Sequence, residues 1–106
     1  MDDKLLIFIC SPYAGDVERN VEAACKLCRK AIEAGHAPFA PHLHYPGIVD
    51  DSDEEERAAG IACGLRFMAV CDEVWAYIGR GRSPGMTQEL AQATVTGKRI
   101  RYFRTI

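Results

Sequence analysis

Short apolar segments alternate with amphipathic segments along this chain, and no other feature constrains its fold as strongly. The strand-like segments are Lys4–Cys10, Ala37–Ala40, Val74–Ile78 and Arg99–Phe103. The first is a continuous apolar run, which is typical of a strand covered on both faces. Because crossovers between parallel strands are right-handed, the alternation predicts a parallel sheet with helices on both faces. We therefore expect a three-layer, doubly wound α/β fold of the flavodoxin or Rossmann type.

Two prolines help to order the strands of that sheet. Pro38 and Pro41 each remove a backbone donor from the second strand, which favours a position at the edge. The first strand is then central, and the expected order of the four strands is 2-1-3-4. A chain of 106 residues has the length of one domain, so we assign residues 1–106 to a single domain.

Capping residues mark the expected helices. The first helix runs from Val17 to a glycine stop at Gly35. The second follows a long polar connection, 42–51, and opens on a capping box, Ser52–Glu55. The third starts at an N-cap serine, Ser83. The residues expected on the three buried faces are Val21, Ala24, Cys28 and Ala31, then Ala58, Ile61, Leu65 and Met68, then Met86, Leu90 and Ala93.

Charge and hydropathy exclude several classes of partner. The net charge of -2 gives no electrostatic basis for binding a nucleic acid polymer or an anionic membrane. No apolar run approaches the roughly 20 residues that span a bilayer, and no secretory signal pattern opens the chain. We expect a cytoplasmic protein that needs no cofactor, and the apolar helix faces permit a homo-oligomer.

Cysteines and acidic residues offer two patterns that resemble metal sites. The five cysteines are odd in number and lie in apolar-periodic segments, so we expect reduced core residues, including the mid-helix pair Cys25 and Cys28. The acidic run 50–56 complements the dipole of the helix that it opens. His42 and His44 form a His-x-His pair without a third ligand at a matching spacing. We therefore expect no bound metal.

Two helix-opening turns border the crevice where a sheet of this order binds ligands. The turns are Ser11–Asp16, after the first strand, and Gly79–Gly85, after the third. Strand order reverses between those two strands, so the exposed amides of both helix N-termini should converge on one point at their carboxyl ends. An anionic group, such as a phosphate, would fit there. Glu89 follows the second turn, on the flank of its helix's apolar stripe, where a carboxylate is half hidden.

Three segments resemble the nucleoside 2-deoxyribosyltransferase-like superfamily, which includes the 2'-deoxynucleoside 5'-phosphate N-hydrolases. They are Phe-Ile-Cys-Ser-Pro-Tyr at 8–13, Cys-Asp-Glu-Val-Trp-Ala at 71–76 and Ser-Pro-Gly-Met-Thr-Gln-Glu-Leu at 83–90. The resemblance covers nearly the whole chain. It is strongest to small bacterial and phage members without a settled activity, through Ser-Pro-Tyr-x-Gly-Asp and Ala-Pro-His-Leu.

The resemblance implies that Glu89 attacks the anomeric carbon of a deoxyribose and forms a glycosyl-enzyme intermediate. Water would complete a hydrolysis, and a second base would complete a transfer. Ser83 matches the serine of the monophosphate hydrolases, whereas the transferases carry an aspartate there. The enzymes also carry an aspartate that assists departure of the base, and this chain has Gly64 at that position.

Several side chains are candidates for contacts with a small nucleotide or nucleoside. Tyr13 is expected either to stack on a base or to cover the first helix. His42 is expected either to replace the missing acid or to hydrogen-bond in its loop. The candidate substrate-binding residues are Ser11, Pro12, Tyr13, Gly15, His42, Ser83, Gly85 and Met86. Two functions remain open: an enzyme acting on the N-glycosidic bond, and a nucleotide-binding module without catalysis.

Overall fold

A four-stranded parallel sheet organises the computed structural model, which describes residues 4–106. The strands are β1 (Leu6–Cys10), β2 (Ala37–Phe39), β3 (Glu73–Tyr77) and β4 (Arg99–Phe103), in the order β2-β1-β3-β4. The predicted order is confirmed, with β1 central and β2 at an edge. Because Cys10 is paired with Ala76, β1 and β3 end at the same level, where the crevice was expected.

Helices cover both faces of the sheet. They are α1 (Val17–Glu33), α2 (Pro41–His44), α3 (Glu54–Val70) and α4 (Pro84–Val95), with a 3-10 turn at Tyr45–Gly47. Successive strand residues point to opposite faces, and the core is accordingly divided in two. Ile7, Ile9 and Trp75 pack with α1, whereas Phe8 and Cys10 pack with α3 and α4. The predicted three-layer α/β architecture is confirmed.

Helix α3 differs from its expected form at its start and on its buried face. Asp53, not Ser52, is the N-cap, and its carboxylate accepts from the amide of Glu55 at 2.9 Å. Gly60 and Gly64 are buried, whereas Ala58 is exposed. The apolar periodicity did not predict this buried face because the face includes glycines. Glycines allow α3 to approach its neighbours closely.

The segment after β2 is helical and not an irregular connection. Pro41 stands in the first turn of α2, where a missing amide hydrogen costs nothing, and the amide of Leu43 donates to the carbonyl of Ala40 at 3.0 Å. His42 and His44 therefore lie in a short helix and not on one face of a continued strand.

The five cysteines are free thiols that differ in burial. Cys10 and Cys71 are buried as expected. Cys28 is half-buried and Cys25 and Cys63 are exposed, which corrects their assignment to the core. Among residues 4–106, no helix combines the length and the apolar character needed to cross a membrane.

Gly79 holds the turn after β3 against the end of the chain. A Cβ atom at this position would collide with the Arg104 carbonyl oxygen and would lie 2.6 Å from Cε1 of Tyr77. Backbone atoms cannot move aside as freely as the tip of a side chain. Glycine at position 79 therefore allows the turn that leads to α4 to pack closely against the segment that follows β4.

We expect Gly79→Ala to destabilise the protein by about 1–3 kcal/mol, because the added methyl group overpacks this contact. Urea unfolding measures the change. Gly47→Ala is the matched control, since a Cβ atom there meets nothing within 4 Å. Equal loss of stability in both variants would contradict the proposed close contact.

Candidate functional site

The two helix-opening turns border one cavity. It has a volume of about 170 Å³ and lies between the turn after β1, the start of α4 and the first turns of α3. Ser83 Oγ accepts from the amide of Met86 at 3.1 Å and thereby fixes the first turn of α4. The residues that line the cavity are Ala14, Asp51, Arg57, Ile61, Ser83, Pro84, Gly85 and Gln88.

Glu89 lies in the interior, on the side of α4 that faces the sheet. Its exposed fraction is 1%, which corrects the expectation of a half-hidden side chain. The helix packs against α3, β1 and β4 at once, so the flank of its apolar stripe is covered as well as its centre. The Oε1 atom of Glu89 has no hydrogen-bond partner among the described residues.

The environment of Glu89 disfavours its charged form. Burial raises the pKa of Glu89 to about 7, and the neighbouring Cys10 thiol opposes part of that rise. Burial also raises the pKa of Cys10, as does the neighbouring Glu89 carboxylate, whereas the charge of Arg82 opposes the rise. The thiol therefore remains a neutral donor, and the carboxyl group titrates in the neutral range where catalytic acids and bases work.

Ser11 provides a second buried polar atom without a partner. It follows β1 directly, its exposed fraction is 0%, and its Oγ atom makes no hydrogen bond within residues 4–106. Buried polar atoms in proteins are normally satisfied by protein, water or ligand. Ser11 Oγ and Glu89 Oε1 are therefore two buried polar atoms without a partner among the described residues.

The turn after β1 is fixed by a residue that sequence reasoning missed. The buried side-chain amide of Asn20 donates to the carbonyl oxygens of Tyr13 and Ala14, each at 3.0 Å. Asp16 caps α1 by accepting from the amide of Arg19 at 3.2 Å. Gly15 is exposed between them, with φ at +94°, a conformation that L side chains rarely adopt. The first wall of the cavity is therefore held by side-chain hydrogen bonds to its backbone.

An aromatic pair adjoins this turn. The rings of Tyr13 and His42 stack at 5.7 Å with an interplanar angle of 23°. Burial lowers the pKa of His42, and the charge of Asp51 opposes part of that change, so the imidazole is mostly neutral at neutral pH. His44 is exposed and instead packs against Tyr45 at 4.7 Å. The two histidines thus have separate surroundings.

The remaining candidate residues divide between the cavity wall and the core. Ser83 and Gly85 line the cavity, whereas Pro12 and Met86 are buried. Sequence reasoning missed three polar residues of the wall, Asp51, Arg57 and Gln88, because they lie in segments that have the composition of solvated helix ends. Within the described residues, no group of three His, Cys, Asp or Glu side chains is arranged to hold a metal ion.

Comparison with known proteins gives the family and the fold. A profile of the family described as Domain of unknown function (DUF7768) matches residues 5–103. The chain belongs to this family. No curated protein sequence matches the chain.

Two solved structures have a similar fold. The 2-deoxyribosyltransferase of Bacillus psychrosaccharolyticus has a TM-score of 0.75 at 21% identity, covering 92% of this chain and 71% of that one. The 2-deoxyribosyltransferase of Leishmania mexicana has a TM-score of 0.60 at 19% identity, covering 93% of this chain and 63% of that one. This DUF7768 chain therefore spans less than two thirds of the Leishmania protein. The expected nucleoside 2-deoxyribosyltransferase-like fold is confirmed.

Replacing Glu89 with glutamine should stabilise the protein above acidic pH. The pKa of Glu89 rises from 4.5 to about 7 on folding, so the native state binds more protons between these values. Stability therefore falls as pH rises from about 4.5 to about 7. Because the amide does not ionise, the stability of Glu89→Gln relative to the native protein should increase by about 3 kcal/mol across this window.

Urea unfolding at about pH 4 and about pH 8 measures this change. Glu33→Gln is the control, because Glu33 is an exposed carboxylate that pairs with Arg29 at the surface, at 3.6 Å. A stability difference between Glu89→Gln and the native protein that stayed constant with pH would contradict the buried, neutral carboxyl group.

Proposed function

We propose that this protein cleaves the N-glycosidic bond of a nucleotide or nucleoside and that Glu89 is the nucleophile. The observation that carries the proposal is the buried carboxyl group with an unpartnered oxygen, on the helix whose first turn forms one wall of the cavity. A carboxylate kept from water is poorly solvated and therefore reactive towards an electrophilic carbon. The likeness of fold to two 2-deoxyribosyltransferases supports the same chemistry.

The reaction has two steps. In the first, a Glu89 carboxylate oxygen forms a bond to the anomeric carbon, the carbon–nitrogen bond breaks, and its electron pair leaves with the base, which takes up a proton. In the second, water or another base attacks the anomeric carbon and releases Glu89. Water yields a free sugar or sugar phosphate, and a base yields a new nucleoside or nucleotide.

Protonation of the leaving base is the step of the proposed mechanism that has the least support from this site. Gly64 occupies the position of the acid that the superfamily's enzymes use, and a Cβ atom there would contact only Pro41 and Phe8, at 3.5 and 3.9 Å for the nearest atoms. His42 has a lowered pKa and is a poor acid at neutral pH. Loss of a general acid costs about 10²- to 10⁴-fold in rate, so we propose slow turnover.

The apolar surroundings of Gly64 also favour a second function. A protein that binds a nucleotide without cleaving it would keep the cavity and the first turn of α4 but would need no acid. Both functions predict binding of a nucleotide. Only the enzyme releases a free base.

Purified protein incubated with deoxynucleoside monophosphates, ribonucleotides and nucleosides should release free base, measured by chromatography. Glu89→Ala should reduce release by about 10³-fold or more, because it removes the nucleophile. Glu33→Ala, which removes an exposed carboxylate, should release base at the native rate. Equal rates of base release from Glu89→Ala and native protein would refute the proposed enzymatic function. Nucleotide binding without any release of base would favour the second function.

The rate should also depend on the ionisation of Glu89. Only the carboxylate attacks, and its pKa is about 7, so kcat/KM should rise with pH below about 7 and level off above it. At about pH 5 it should be roughly 100-fold below the plateau. A value of kcat/KM that stayed constant from about pH 5 to about pH 8, or fell across that range, would exclude Glu89 as the nucleophile.

A further inference from the structure

A second cavity lies on the face of the sheet opposite Glu89. Its volume is about 120 Å³, and it lies between α1, the end of β3 and the turn that follows β3. Tyr77 in its wall packs against the core cluster on the α1 side of the sheet. Glu89 is buried on α4, whose apolar residues pack on the other side. The sheet therefore separates a ligand in this cavity from Glu89.

Three cationic side chains line this second cavity, and two of them have no ion-pair partner. Lys26 pairs with Glu22 at 3.3 Å. Arg19 and Arg80 line the same cavity, and neither pairs with a carboxylate of the described residues. Like charges held around one space repel each other, and an anion placed among them removes that repulsion. The wall thus has an excess of positive charge in a protein whose net charge is -2.

Both arginines stand on backbone that hydrogen bonds hold in place. The amide of Arg19 donates to the N-cap carboxylate of Asp16 at 3.2 Å. Arg80 lies in the turn after β3, where the amide of Ile78 donates to the carbonyl of Phe103 at 2.8 Å. Groups on a fixed backbone lose less conformational freedom when they bind a ligand. The two guanidinium groups are therefore partly organised for binding before a ligand arrives.

The donors of the wall match the oxygens of a phosphate group. A guanidinium group offers donors in a planar fork, which binds two phosphate oxygens at once. Tyr77 also lines the cavity, and a phenol hydroxyl is a further donor. A phosphate group carries a charge of about -1.5 to -2 at pH 7, which balances the charges of the two unpaired arginines.

We propose that this second cavity binds a phosphate group through Arg19 and Arg80. The site is separate from the cavity at the start of α4 and does not depend on the proposed function. Arg80 and Ser83 stand in one turn, 79–85, but line different cavities. A phosphate held by Arg80 therefore also restrains the turn that leads into α4.

An NMR titration with inorganic phosphate and with glycerol 3-phosphate tests the proposal. At about pH 8 both probes are mostly dianions, and about 0.15 M NaCl screens non-specific attraction to exposed charges. Amide signals around Arg19 and Arg80 should shift in a saturable way. Arg19→Ala and Arg80→Ala should each weaken binding of both probes about 10-fold or more. Arg80→Lys should retain part of the affinity, because it keeps the charge but loses the planar fork.

Two control variants locate the bound phosphate. Arg29→Ala should bind both probes as the native protein does, because Arg29 lies on the same helix as Arg19 but lines a neighbouring cavity and pairs with Glu33. Arg57→Ala removes a cation from the cavity at the start of α4 and should also bind both probes normally. All four of these arginines are exposed, so we expect the variants to fold.

The outcomes separate the phosphate site from its alternatives. Unchanged affinity in Arg19→Ala and Arg80→Ala, weakened binding in Arg57→Ala alone, or no saturable binding of either probe would overturn the proposal. Tighter binding of glycerol 3-phosphate would sustain it and identify a phosphorylated organic molecule as the ligand. Tighter binding of inorganic phosphate would sustain it and identify the free ion.

Discussion

The burial of one carboxyl group beneath a helix determines what this site can do. Glu89 is enclosed because α4 packs simultaneously against the sheet and against α3, with Met86, Leu90 and Ala93 buried around it. Moving a carboxylate out of water is unfavourable unless it is paired. The neighbouring Cys10 thiol offsets part of that cost, yet the pKa of Glu89 is still raised to about 7. Proteins commonly keep such a costly group where its reactivity is used.

The cavity at the start of α4 results from two local features with different origins. On one side, Asn20 holds the turn after β1 through two backbone carbonyls, which leaves the side chains of the turn free for other contacts. On the other side, glycines let α3 lie close to its neighbours, with Gly64 against Pro41. Gly85 lets α3 and α4 lie close together at the cavity, since a Cβ atom there would lie 3.7 Å from Cδ1 of Ile61. The site thus depends on residues that themselves carry no reactive group.

The sequence predicted the fold well because the relevant signals are local. Apolar runs, prolines and helix caps identify strands and helices one at a time, and right-handed crossovers then leave few ways to arrange them. The candidate site was only partly predictable, since burial depends on neighbours that are distant in sequence. The spacing in α4 placed Glu89 on a flank, but only the position of α3 covers that flank. For the same reason, sequence reasoning did not indicate that the exposed Arg57 lines the cavity.

The proposed nucleophile cannot also supply the proton that the leaving base requires. Attack needs the carboxylate and departure of the base is helped by an acid, yet a single carboxyl group holds one protonation state at a time. With Gly64 among apolar atoms and His42 mostly neutral because its pKa is lowered, the proton must come from solvent or from the substrate itself. This constraint favours bases that leave readily without prior protonation. It would also make the proposed enzyme slow, even though its carboxyl group is reactive.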